Sequence, residues 1–575
     1  MYAMTGTLGQ RLVESGKLDS ENLDLAIREA QKSGERLDII LQRTNMVSED
    51  DVLQALAEEI GLDFIELGGK DFPKAVLQSV PARLVTQYRL FPVREEDGVL
   101  FVATADPLAL QDLDDLRMAL RRDVEPIVAA RRDIDAAIKR WYGIGADTIQ
   151  EMSEREGEQG GDLAIETPDV DIDSDDPAND ATIVRFVNQF IGEAFRDRAT
   201  DIHVEPLENE LRIRYRIDGM LYEAQVPPAI KKYQSAIISR IKIMANLDIA
   251  ERRLPQDGKI KVKSGSKDFD LRVSTIPTPY GESVAIRILS RDSELIDLER
   301  LGLDNHNATL LRGMIAKPHG VVLVTGPTGS GKSTTLYASL TELNNTDRKI
   351  ITIEDPIEYR IRGVTQVQVQ PDIGLTFARV LRTILRQDPD IIMVGETRDT
   401  ETAQNTIRAA LTGHLVFTTL HTNDACSAVT RLLDMGIEPF LVASSVEGIV
   451  AQRLVRTMCS SCRAPAAPDP KLMATFGVDQ EELMKARLHK PVGCEQCRYT
   501  GFRGRTAIYE IARMTEGLRR LVVQNQPASA LRKVALAQGM RTIRRDGWEK
   551  VKAGLTTPDE VIRVTMEEDL MNEFE

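Results

Sequence analysis

Residues 326–333 read GPTGSGKS and complete the pattern G-x-x-x-x-G-K-[ST]. The run VVLVT (321–325) precedes them, apolar enough for a buried strand, and STTLYASL (333–340) follows as a helix. A chance glycine-rich turn would lack that context. Within it, Gly326, Gly329 and Gly331 let backbone N–H groups curl around phosphates at a helix N-terminus, where the dipole favours anions. Pro327, Thr328, Ser330 and Thr334 complete the loop; Lys332 can reach the β and γ phosphates and Ser333 can ligate Mg²⁺. The stretch predicts a nucleoside triphosphate site.

Working outward, strands of continuous apolar type (VVLVTG, KIITIED, DIIMVGE, HLVFTTLH) alternate with helical segments, the pattern of a parallel sheet buried on both faces. Ligands of such sheets sit at the carboxyl ends of strands. Glu354, Asp355 and Glu358 end one strand and Glu396 another, so these carboxylates are expected around the γ-phosphate. There one would hold Mg²⁺ through water and another would polarise the attacking water. The alternative is that some are helix caps or solvated acids. His414 and His421 bracket the strand HLVFTTLH and read as γ-phosphate sensors, against the blander reading of satisfied structural histidines. In LRIRYRID, alternation puts Arg212, Arg214 and Arg216 on one strand face and Leu211, Ile213, Tyr215 and Ile217 on a core face. That basic face is either solvated or supplies fingers to a neighbour's phosphates. Arg379, Arg382 and Arg386 follow at helical spacing.

The 575 residues exceed what one core organises, and three to five domains are expected. A net charge of −16 repels phosphate backbones, which argues against a nucleic-acid partner. The polar start MYAMTGTLGQRLVESG and the lack of any long apolar run predict a soluble, cytosolic-type chain. Residues 7–27 and 36–56 form a weak helical repeat (1–66), and a small α/β module follows (67–143). GDLAIETPDVDIDSDDPAND carries eight acids and no Lys or Arg, so 144–180 reads as an acidic flexible linker. An α+β domain (181–300) and the phosphate-loop domain (301–455) come next, and the tail 506–575 reads as helical, with Thr557, Pro558 and Glu560 as a helix start. Between them, residues 456–505 are too polar for a core of their own and hold C-x2-C-x31-C-x2-C: Cys459, Cys462, Cys494 and Cys497. Five cysteines in a chain of cytosolic type argue against disulfides, and two knuckle-like pairs fit a closed structural Zn²⁺ site better than a redox pair. Cys426 reads as a buried structural thiol.

Taken together, GPTGSGKSTT, ITIEDPIEY, LRQDPDIIMVGETRD, GHLVFTTLHTNDA and AQRLVRTMC resemble the secretion ATPases that drive type II secretion and type IV pilus assembly, most closely the type II E-protein branch. ATDIHVEP, GESVAIRIL and GMRTIRRDGWEKVKAGLTTPDEV extend the resemblance over nearly the whole chain. It implies an α/β, RecA-like P-loop ATPase core preceded by a PAS-like α+β domain and N-terminal α/β modules, with a zinc-binding insertion and C-terminal helices. It implies ATP as the nucleotide, Glu358 as the catalytic glutamate of an Asp box, and Glu396 at the Walker B position, with Gly395 where many P-loop proteins carry Asp. It makes His414 and His421 the His box, and Arg214, Arg379 and Arg386 phosphate-contacting arginines. It further implies a homo-hexamer at the inner face of the inner membrane. There the N-terminal domain would bind an L-type secretion partner and the ring would turn an F-type platform protein, driving pseudopilus assembly and export. Alternatives are a pilus extension motor, a RecA-like nucleic-acid motor and a nucleotide-gated signalling module. Some family members bind cyclic di-GMP through R-L-G and a later Gly; here Thr7 replaces the first Arg, and Asp38 and Asn45 replace glycines in the second copy, which favours partner docking instead.

Overall fold

The computed structural model describes residues 4–33, 35–44, 46–143, 145, 148, 170–171, 182–264, 267–290 and 297–566. They fall into two compact units, Met1–Ser290 and Arg291–Glu575. The acidic linker expected at 144–180 lies, apart from residues 145, 148, 170 and 171, outside the described residues.

In the first unit, helices Met4–Glu14, Ser20–Ser33, Leu37–Arg43 and Glu49–Ile60 bury Leu8, Leu12, Ile40, Leu41 and Leu53. Ser48 caps the fourth helix by accepting the Asp51 N–H, and Gly61 ends it in the left-handed region. Strands β1 (Phe91–Glu96), β2 (Val99–Thr104) and β3 (Val124–Val128) form a small sheet. Near the boundary expected at residue 66 the core of the helical repeat gives way to two further apolar clusters drawn from residues 65–142, and a few contacts cross it. Ile65 N–H donates to Val128 O and Val128 N–H to Asp63 O, both at 2.8 Å, and Val128 and Ala130 join the core of the helical repeat.

The α+β domain follows: β4 (Val170–Asp171), β5 (Asp201–Pro206), β6 (Leu211–Ile217), β7 (Met220–Glu223), β8 (Gln256–Ser264), β9 (Lys267–Thr278) and β10 (Gly281–Ser290), ordered β4-β8-β9-β10-β5-β6-β7. Helices Thr182–Arg196 and Gln234–Met244 share one core with the sheet. The alternation expected in β6 is observed: Leu211, Ile213 and Tyr215 are buried and Ile217 half-buried, while the arginines between them reach solvent.

The second unit carries the phosphate loop. Its sheet contains β11 (Gly320–Thr325), β12 (Ile350–Glu354), β13 (Thr365–Gln368), β14 (Ile391–Val394), β15 (Leu415–Leu420) and β16 (Val446–Met458), with β17 (Ala464–Pro465) and β18 (His489–Lys490) forming a separate ribbon before β19 (Phe502–Arg513). The order is β13-β12-β14-β15-β11-β16-β19, parallel except for β19, which runs antiparallel to β16. Every residue of β11, β12, β14 and β15 is buried, because helices cover both faces.

This corrects the helical reading of the tail. Residues 502–513 are a strand of the ATPase sheet, and only then do helices Glu516–Val523, Ala528–Ala537, Ile543–Lys552 and Pro558–Thr565 follow. Phe502–Arg513 differs from the parallel strands in that its first half alternates between half-buried and exposed residues and only its second half is buried. The tetracysteine segment expected at 456–505 is thus the connection 459–501 between two neighbouring strands, whose ends take up 456–458 and 502–505. Its Phe476, Val478, Leu483 and Leu488 share the core of the main domain, Phe476 lying 5.1 Å from the ring of Trp548. The cap expected at Thr557 is present, accepting the Glu560 N–H with Pro558 in the first turn.

Candidate active site

The parallel register brings the carboxyl ends of β12, β14, β15 and β11 to one edge, since Ile353 pairs with Val394, Val394 with Thr418 and Thr325 with Leu420. Thr325 Oγ1 accepts the Thr422 N–H at 2.9 Å, tying the end of β11 to the segment after β15. Gly326 adopts φ 148°, where a Cβ would come 2.5 Å from Gln452 O, and Gly331 caps the helix Lys332–Leu343 at φ 86°. Gln452, buried in β16, braces the loop: its Nε2 donates to Ser330 O (2.6 Å) and its Oε1 accepts from Thr335 Oγ1 (2.8 Å). Lys332 Nζ spans the turn, donating to Gly326 O (2.8 Å) and Pro327 O (3.0 Å). Burial lowers the pKa of Lys332, with Glu396 pulling the other way and Arg453 adding to the fall. Ser330 Oγ is buried with no hydrogen-bond partner among the described residues, whereas Ser333 is exposed at the helix start. A cradle of backbone N–H groups, a partly desolvated ammonium and an exposed hydroxyl fit a magnesium–nucleotide phosphate tail.

Glu396 follows β14 and is held on both oxygens. His421 Nε2 lies 2.8 Å from Oε1, and Arg398 Nη2 lies 2.7 Å from Oε2. Burial pushes the Glu396 carboxyl up, but Arg398 and His421 outweigh it and hold it below the usual range. An ionised carboxylate only accepts, so His421 carries its proton on Nε2 in this pair. Gly395 stands where other P-loop proteins carry Asp, and the fit there is tight: its N–H donates to Ile353 O at 2.7 Å, and a Cβ would sit 3.0 Å from that same oxygen.

Glu354 is not part of the open site. It is buried at the end of β12, bonded to Tyr337 Oη, Thr352 Oγ1 (2.5 Å) and Gln366 Nε2 (3.0 Å). This corrects the expectation that all the strand-end carboxylates face the phosphates. Beyond it Asp355 is exposed and Glu358 half-buried, with the Glu358 N–H donating to Tyr337 Oη at 3.2 Å.

The two histidines part company. His421 stands at the phosphate edge, but His414 precedes β15 at the opposite edge, about 20 Å away along a six-residue strand. Its Nδ1 lies 2.9 Å from Ala409 O and 3.2 Å from Thr412 Oγ1, closing the helix Thr400–Leu411. Spacing that looked symmetric about the strand puts only one of the pair beside the loop. Arg379 and Arg386 are exposed at and just beyond helix Phe377–Ile384, bonded to Gly374 O (3.3 Å) and Arg382 O (3.1 Å). Arg214 belongs to the first unit, where Glu205 binds it at 2.6 Å and Arg212 at 3.0 Å. Gln452, Tyr337 and Arg398 were not singled out from sequence; a glutamine inside the apolar run IVAQRLV was the available signal for the first.

The four cysteines converge, with all sulfurs within 4.8 Å of one another. Cys459–Cys494, Cys462–Cys497 and Cys494–Cys497 are 3.8, 3.7 and 3.8 Å apart. A tetrahedron with Zn–S bonds of about 2.3 Å has edges of about 3.8 Å, so the set fits zinc and is too wide for disulfides. Burial raises the Cys497 thiol, but N–H groups of Cys494 (3.1 Å) and Gly501 (3.2 Å) outweigh it and set it at about 7. Cys426 is a buried thiol that desolvation pushes well up.

A parallel sheet of this order with a phosphate loop, an acidic strand end and a histidine beside it defines a RecA-like P-loop ATPase. The family described as Type II/IV secretion system protein matches residues 176–563, and the chain belongs to it. The MshEN domain matches residues 60–148. The type II secretion system protein E of Xanthomonas campestris is 44% identical over 572 residues, covering 97% of this chain and 98% of its own. The type IV pilus assembly ATPase PilB of Myxococcus xanthus is 42% identical over 564 residues, covering 97% and 99%. The Legionella pneumophila ATPase DotB, at 21% identity and TM-score 0.50 over 67% of this chain and 96% of its own, shares the fold. The chain is therefore a secretion-family ATPase, and no described helix is long and apolar enough to cross a membrane.

Proposed function

We propose that the chain is the assembly ATPase of a type II secretion system, hydrolysing ATP in a homo-hexameric ring to drive pseudopilus growth and protein export. The observation that carries the chemistry is the shared edge of Lys332, Glu396 and His421 beside the Asp-box segment. Loop N–H groups hold the phosphates, and Lys332 exchanges the carbonyls of Gly326 and Pro327 for phosphate oxygens. Ser333 and Glu396 would hold Mg²⁺, which would neutralise charge on the phosphates. Glu358 orients the attacking water and draws its proton, while His421 keeps Glu396 in place. His414, at the other edge, has no part in this chain's own site. Arg214, Arg379 and Arg386 are exposed or half-buried cations suited to reach a neighbour's phosphates in a ring.

The tetracysteine element holds a structural Zn²⁺ and faces the platform protein. The N-terminal unit docks the L-type inner-membrane partner, keeping the ATPase peripheral on the cytoplasmic face. Docking is favoured over cyclic di-GMP because Arg36 is already neutralised, its Nε bonded to Asp38 (3.1 Å) and its Nη1 to Asp106 (2.9 Å). A second reading, a type IV pilus extension motor, is supported by the 42% identity to the Myxococcus protein over its whole length. Complementation separates the two: the gene should restore export to a strain lacking its type II secretion ATPase and fail to restore pili. Restored pili with no export would reverse the assignment.

A further inference from the structure

We infer that Tyr337 is a positioning residue for the hydrolytic step, holding the segment that carries Glu358 against the helix that starts in the phosphate loop. The inference rests on the reading of Glu358 as the catalytic carboxylate. Tyr337 lies five residues beyond Lys332 on helix Lys332–Leu343 and is 3% exposed. Its hydroxyl does two things at once: it donates to the carboxylate of Glu354, the last residue of β12, and it accepts the Glu358 N–H at 3.2 Å. Its ring meets that of Tyr359 edge-on at 5.8 Å.

The rest of the segment is pinned independently. Gln366 Nε2 donates to Glu354 Oε1 (3.0 Å) and Tyr359 O (2.9 Å), and Gln366 Oε1 accepts the Ile361 N–H (2.8 Å). Tyr337 thus supplies a bond at Glu358 itself, and that bond ties the residue to the element whose first turn receives the phosphates. Phenylalanine would fill the same volume, so packing alone does not call for the hydroxyl. Its use is registry: the water-orienting carboxylate and the phosphate loop move as one body, and a displacement of about 1 Å at such a site costs on the order of a hundredfold in rate.

The test is a double-mutant cycle in full-length protein, reading steady-state phosphate release and the KM for ATP. Y337F should lower kcat about tenfold or more with KM within about twofold. In an E358Q background, where the carboxylate is gone, the same substitution should cause no further loss. An equal fold-loss in both backgrounds, or turnover within twofold of the parent in Y337F, overturns the inference. Full turnover in E358Q alone would instead overturn the reading of Glu358. If Y337F does not fold, Y337F/E354Q, which removes the buried charge together with its donor, carries the same comparison.

Discussion

Gln452 makes the most exact demand on the phosphate loop. It is buried in β16, far along the chain from residues 326–333, yet it bonds Ser330 O at 2.6 Å and Thr335 Oγ1 at 2.8 Å. Gln452→Leu keeps the volume and removes both bonds. The Ser330 carbonyl is then unpaired inside the domain, a loss of about 1–3 kcal/mol, and the Thr335 hydroxyl gives up a partner for about 1 kcal/mol more. A total of about 2–4 kcal/mol corresponds to a fall of roughly 4–16 °C in the melting temperature of the ATPase unit. The loop also loses preorganisation. If about 1.4 kcal/mol of that loss must be recovered when nucleotide binds, Kd rises tenfold. Differential scanning fluorimetry with and without magnesium–ATP, and titration with a fluorescent nucleotide, read both effects. A melting temperature within about 1 °C of the parent and a Kd within twofold would refute the claim that β16 braces the loop.

Other outcomes follow from the same geometry. Cys494→Ser should reduce zinc from one ion per chain to a small fraction by atomic absorption while leaving nucleotide Kd unchanged, because the sulfur cluster is held in the loop between β16 and β19. Glu560, nearly fully buried and paired with Arg456 (2.9 Å) and Arg563 (2.6 Å), sits at about 2: burial raises it, but Arg563 and Arg456 outweigh that. Its folded value lies below its unfolded one, so its stabilisation is complete above about pH 4.5 and is lost as pH falls toward 2. Arg456→Met should flatten that acid limb and lower stability at pH 7 by about 3 kcal/mol in thermal melts. His414→Ala should cost about 1 kcal/mol by removing a contact at the end of helix Thr400–Leu411, with the KM for ATP unchanged.

The parallel sheet was legible because its strands are unbroken apolar runs, and the loop because glycine, lysine and serine at fixed spacing admit few other uses. The cysteine pairs read equally well. What escaped the sequence was pairing between distant segments. Nothing local says that 502–513 returns to the sheet beside β16 and not to a helix, since that depends on which edge remains open. Strand polarity separated His414 from His421, although each flanks the same strand. Glu354 and Glu358, four residues apart, differ only in which one the Tyr337 and Gln366 side chains enclose. Residues 63–65 add to the edge of β3, a pairing across the boundary expected at 66 that no local pattern announces.

The central claim is that one strand edge carries out ATP hydrolysis. Phosphate release by the purified full-length chain with magnesium–ATP tests it most directly, comparing the parent with Lys332→Ala and Glu358→Gln. Steady release is expected from the parent, a fall of roughly a hundredfold or more to a small residual rate in either variant, and retained ATP binding in Glu358→Gln alone. Undiminished release from Lys332→Ala or Glu358→Gln would contradict it.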